Sequence, residues 1–171
     1  MLTFDDIAEW AGPEGVVQAD RDTAADWTIS DGEKQALVEV GLPRFVDPFF
    51  EARVQSDTQP TIHSESAGDL YQIGWDMGRQ LGVAEAGRGV YAIDPEGELP
   101  ELFVNSSAID LIEFLHHVGR LRQEYPRMTD TQIDASLADL KPSLTKIDER
   151  AFRSPSDWWS QVFEQMELGM Y

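Results

Sequence analysis

Glu113-Phe114-Leu115-His116 places a carboxylate and an imidazole three residues apart on one helical face, the spacing used in carboxylate-bridged di-metal bundles. Such a centre needs a second copy of the motif. The chain has 3 His, and His63 and His117 have Pro60 and Phe114 where the partner Glu would stand, so no second copy exists. No resident metal is therefore expected; His117, Glu113 and Arg120 read as a solvated helix face and His116 as the border of a buried stripe. Asp94-Pro95-Glu96-Gly97-Glu98 alternates acids as a calcium loop does, but Gly falls at position 4 and Asn105 at position 12, where such loops need position 6 and a Glu. It reads as an acidic hairpin turn. Ser106, Ser107, Asp110 and His116 are the residue types of nucleophilic catalysis, yet serines directly before a helix ordinarily cap it. Gly82, Gly87 and Gly89 match neither a phosphate loop nor a dinucleotide fingerprint. The residues thus point to no enzyme and no cofactor, and a small hydrolase or metal enzyme is the outlying alternative.

The elements around these residues are readable from pattern. Thr3-Phe4-Asp5-Asp6 resembles a capping box for a short helix carrying Ile7 and Trp10, stopped at Gly12-Pro13 and either docked on the core or mobile. A second helix is expected from Ser30 to Gly41. Strands are expected at 49–54, 61–64 and 70–75, then around Leu81 and Val83, at Val90 to Ile93 and at Leu102 to Val104, partly alternating and half-buried. Asn105-Ser106-Ser107 offers caps to a helix whose apolar positions are Leu111, Phe114, Leu115, Val118 and Leu121. Thr129-Asp130-Thr131-Gln132 begins another, which Pro142 is expected to stop. Ser154 with Pro155 is expected to open the last helix. Trp158 and Trp159 are neighbours on it, so one is expected in the core and the other partly exposed, where it covers the edge of its own sheet or, as the alternative, anchors an interface. Tyr71, Trp75 and Met77, interrupted by Gly74 and Gly78, fit a strand and turn or part of a groove. The least regular stretches are 11–28 and 55–67. Clustered strands bounded by helices give an α+β fold class with a mostly antiparallel sheet.

Composition sets the limits. A chain of 171 residues with 42% hydrophobic side chains supports one folded domain over residues 1–171, of which 1–36 is an N-terminal helical segment. Zero Cys and the absence of a basic, apolar leader at Met1 to Asp6 fit a cytoplasmic protein. With 32 acidic against 13 basic residues the net charge is -19, which disfavours direct binding of nucleic acid or an anionic membrane and favours a basic partner. Solubility alone is the plainer reading of that charge.

Gly41-Leu42-Pro43-Arg44-Phe45, Leu81-Gly82, Ile93-Asp94-Pro95-Glu96-Gly97, Phe103-Val104-Asn105-Ser106-Ser107 and Trp158-Trp159 with Glu164-Gln165-Met166 occur in an order that resembles the SUKH superfamily, most narrowly its fourth group of bacterial immunity proteins. The resemblance spans about Leu37 to the C-terminus; the segment before Leu37 and the helix from Thr129 to Leu140 lie outside its landmarks. It implies a SUKH-like sheet flanked by helices with a C-terminal helix packed on the core. It also implies an immunity protein that binds and neutralises a cognate toxin, often a nuclease or nucleic-acid deaminase, by occluding its active site. A general interaction or regulatory module of the same superfamily is the alternative. Trp75, Asp76, Asp94, Glu96, Glu98 and Glu101 are the candidate partner-binding residues, because they lie in the sheet and its turns.

Overall fold

Reciprocal capping starts three of the helices in the computed structural model, which describes Met1–Tyr171. The Thr3 hydroxyl accepts the Asp6 N–H and the Asp6 carboxylate accepts the Thr3 N–H, opening α1 (Phe4–Ala11). After the short α2 (Arg21–Ala25), Ser30 and Glu33 do the same for α3 (Asp31–Gln35), which widens into a π-turn over Ala36–Val40 and ends at Gly41. Ser107 caps α4 (Ala108–Glu124), and Thr129 with Gln132 caps α5 (Asp130–Ile147). The chain closes with α6 (Trp158–Glu167).

The strands are β1 (Val16–Val17), β2 (Leu42–Pro43), β3 (Phe45–Val46), β4 (Phe50–Ala52), β5 (Ile62–Ser64), β6 (Gly68–Asp76), β7 (Arg79–Ala84), β8 (Val90–Ile93) and β9 (Leu102–Asn105). β1 and β2 form a two-stranded sheet. The other seven form one antiparallel sheet in the order β3-β4-β6-β7-β8-β9, with β5 also paired to β6. β4 pairs with the end of β6 and β5 with its beginning, so both occupy the same edge of the long central strand. The chain is α+β, with an antiparallel sheet flanked by helices and a C-terminal helix on the core, as expected.

One face of the sheet carries Tyr71, Ile73, Leu81, Val83, Ala92 and Val104 into a core of 33 buried residues shared with α1, α4, α5 and α6. The N-terminal helix is docked there. Trp10 lies over Gly119, where any side chain would overlap the indole, and its Nε1 donates to His116 Nδ1 at 3.2 Å. Burial, then His117 and Arg120, pushes the His116 pKa down, in keeping with a neutral imidazole that accepts this bond.

Four local expectations are corrected. The second half of β7 is buried on both faces instead of half-buried, because Ile62 of β5 and Leu70 of β6 cover its second face at Gly82 and form a second small cluster with Ala67, Ala84 and Ile93. The 11–28 stretch holds β1 and α2. Pro142 does not stop α5: Leu137 and Leu144 are both fully buried, and the Ser143 and Thr145 hydroxyls donate to the carbonyls of Asp139 and Lys141. Burying a Leu contributes about 1.5–3 kcal/mol, comparable to the ~3 kcal/mol cost of an internal proline. Ser154 does not cap α6; its N–H donates to Asp157, and Asp157 is the residue before the helix.

The tryptophan pair departs further, since Trp158 and Trp159 are both buried. Trp159 packs against Phe114 and donates from Nε1 to Asn105 Oδ1 at 2.8 Å. Trp158 points elsewhere but meets Phe49, from the β3–β4 connection, and Phe49 in turn lies 5.8 Å from the terminal Tyr171 ring. A loop distant in sequence supplies the cover that helix geometry alone does not.

Candidate functional site

The serines before α4 are structural. Ser107 Oγ accepts the Asp110 N–H at 3.1 Å, which makes it the cap, while Ser106 donates from N and Oγ to the Asp148 carboxylate at 2.7 and 2.8 Å. Asn105 joins them by donating to the same carboxylate at 3.2 Å. Neither serine hydroxyl is bonded to an imidazole, since His116 faces Trp10 and His117 lies 3.7 Å from Glu113 on the outer face. Glu33, 1% exposed, reaches from α3 to accept the Ala108 N–H at 3.0 Å. Three acids thus converge on the start of α4, where its first N–H groups and dipole favour negative charge. Burial, followed by repulsion from Asp148, Glu33 and Glu113, still pushes the Asp110 pKa up.

No group of three or more His, Asp or Glu side chains is arranged to hold a metal ion, and no helix is long and apolar enough to cross a membrane.

The six candidate partner residues are distributed along the β6–β7 and β8–β9 connections, but the structure uses them differently. Trp75 lies under the Arg53 guanidinium, 5.0 Å from the ring centre. Asp76, next along β6, points to the opposite side and accepts from Trp158 Nε1 and from the Arg79 N–H. Burial pushes its pKa up against those bonds. Asp94 accepts the N–H groups of Glu96, Glu98 and Leu99 at 3.0, 2.9 and 2.8 Å, and these hold its carboxyl below the usual range. Burial pushes Glu101 up, but hydrogen bonds from Ser66, the Glu65 N–H and Ser64 outweigh it and lower its pKa. Glu96 and Glu98 are exposed on the rim of the Asp94 turn with no ion-pair partner.

The turn is thus a rigid frame built by Asp94, anchored at its base by Glu101, with two glutamates projected into solvent. Two apolar residues stand beside it: Met77, which the sequence offers as part of a strand and turn or of a groove, and Leu99, which carries no sequence signal that separates it from a core residue. Met77 at the β6–β7 tip is 75% exposed and Leu99 at the end of the acidic turn is 51% exposed. Both are apolar, and only the folded chain shows that nothing covers them.

The fold and this surface accompany a match to the family model described as SUKH-4 immunity protein, over residues 2–165. The match includes the segment before Leu37 and the Thr129–Leu140 helix, so both lie within the family's extent, beyond the landmarks readable in the sequence. No curated protein and no solved structure matches the chain significantly. An immunity family implies protection against a toxin, and so a toxin as the partner. With 164 of 171 residues matched, counted inclusively from 2 to 165, the chain belongs to the SUKH-4 immunity protein family.

Proposed function

We propose that residues 1–171 act as one domain that binds a basic bacterial toxin, a nuclease or nucleic-acid deaminase, and neutralises it by occluding the active site. The observation that carries this reading, within an immunity family, is the net charge of -19. An enzyme that works on a polyanion needs a cationic groove, because Lys and Arg supply most of the affinity for phosphates. Carboxylates on a preorganised frame compete for that groove. Glu96 and Glu98 on the Asp94 turn are placed for this, since their charges are not neutralised by neighbours and the loop beneath them is already ordered. Exposed rim charges mainly accelerate encounter, so association should slow as salt rises while dissociation changes less.

The test is a search for a basic toxin domain among the genes beside this one and its co-expression with this chain, followed by binding kinetics on the purified pair. Rescue of growth and a tight, salt-sensitive association are expected. A neighbouring toxin that is not neutralised, or the absence of any basic toxin among the neighbouring genes, overturns the reading.

A further inference from the structure

The acidic turn borders a cleft of about 250 Å³ whose walls come from three separate parts of the chain. Met77 stands on one side at the β6–β7 tip, Leu99 on another at the end of the acidic turn, and Trp158 and Tyr171 close the third from α6 and the chain end. Leu168 and Met170, which precede Tyr171 in the chain, are each 67% exposed. Met77 also sits at a φ of 34°, in the left-handed region that a side chain disfavours and that Gly or Asn tolerates. A strained tip that holds a long apolar side chain in water is unfavourable twice over in the free protein. A contact that covers the side chain relieves the exposure, while the backbone conformation holds the side chain out to meet it.

We infer that this cleft is the anchor of the partner interface and takes a large apolar side chain from the basic protein that the acidic turn attracts. The inference rests on the immunity reading and deepens it by separating where the complex is held from what steers it. Charge points to the occupant: Glu96 and Glu98 stand exposed three and one residues before Leu99 on the same turn, and the cleft's own charged side chains, Asp76 and Arg79, oppose each other in sign, with Arg79 donating to the Pro100 carbonyl at 3.3 Å. The partner's apolar residue therefore arrives within a cationic surround. A larger cavity of about 340 Å³, between the start of α1, the π-turn and α4, lacks this complement. Its glutamates Glu39 and Glu113 already face Arg21 and His117 at 3.6 and 3.7 Å. Apolar anchors at the centre of an interface control dissociation, whereas rim charges control association.

The experiment measures association and dissociation rates of the toxin domain encoded beside the gene with wild type, Met77→Gly/Leu99→Ser, Glu96→Gln/Glu98→Gln and Ile109→Ser. The Met77/Leu99 double variant should dissociate at least about tenfold faster with little change in association, the scale of losing a hot-spot contact. Its thermal midpoint should be unchanged or higher, because glycine relieves the φ of residue 77. The glutamate pair should instead associate several-fold more slowly at low salt and match wild type at high salt. Binding by the Met77/Leu99 variant within about twofold of wild type, or loss of binding in Ile109→Ser alone, overturns the anchor while leaving the immunity reading intact. Wild type that fails to bind overturns both.

Discussion

Acids at the start of α4 and acids in the β8–β9 turn have the same chemistry and opposite roles. Glu33 and Asp148 are 1% and 5% exposed and spend their oxygens on the N–H groups of Ala108 and Ser106, on Asn105 and on two serine hydroxyls. Glu96 and Glu98 are exposed and bond to nothing through their carboxylates. Between them stands Asp94, whose carboxylate builds the turn that holds the two glutamates out. A net charge of -19 therefore overstates the surface available to a partner, because part of it is already committed to capping and turn formation.

The contrast breaks most sharply at Asp148. Replacing it by Ala strands the buried Asn105 amide and the Ser106 N–H, and the loss should be about 2–4 kcal/mol, since hydrogen bonds to charged groups are worth ~1.5–3 kcal/mol each and unmet buried donors add to the penalty. Urea denaturation with an unchanged m-value would establish that the effect is stability; a change below about 0.5 kcal/mol would mean that the network is dispensable. Next in size is Ser107→Ala, expected to cost about 0.5–2 kcal/mol as the loss of an N-cap. Asn105→Ala and Ser106→Ala should destabilise through the Asp148 network, with no change in the α4 cap itself.

Asp110 sharpens the comparison by sign. Its folded-state pKa is raised, so the ionised form is less favoured in the folded protein than in the unfolded one. The stability tied to this group is complete below the unfolded value of about 3.9 and declines as pH rises through the folded value. Asp110→Asn should therefore melt at or above the wild-type temperature at neutral pH and coincide with it near pH 3.5, within that window. A variant less stable than wild type at pH 7 would show that its charge helps the helix dipole more than burial penalises it. The smallest effect on stability, within about 0.5 kcal/mol, is expected for Glu96→Gln/Glu98→Gln. Including Glu101→Gln should add a measurable loss, because Glu101 holds the β5–β6 turn through Ser64, Ser66 and Glu65.

Local motifs were legible before folding. The boxes at Thr3 and Thr129, and the helix start at Ser30 where the structure adds a third box, each close within four residues, so their hydrogen bonds depend on little else. The apolar spacing of α4 and most strands were readable for the same reason. Pro142, the double burial of β7 and the second buried tryptophan were not, because each depends on a partner far along the chain: the core around Leu144, β5, and Phe49. Among the candidate surface acids, composition places Asp76, Asp94, Glu96, Glu98 and Glu101 together as equals. Trp158 on Asp76 and Ser64 on Glu101 come from 82 and 37 residues away and remove two of the five from free display.

The amino-acid sequence by itself determined the excess of carboxylates, the lack of thiols, the caps and periodicities of the helices, and the landmarks of the SUKH fold. These follow from side-chain type and from contacts within one turn of chain. Tertiary structure alone decided which acids are spent and which face outward, that Met77 and Leu99 stand uncovered at one cleft, and that the N-terminal helix is seated on Gly119 through Trp10. Burial and long-range hydrogen bonds are properties of packed surfaces, and a packed surface exists only once distant segments have met.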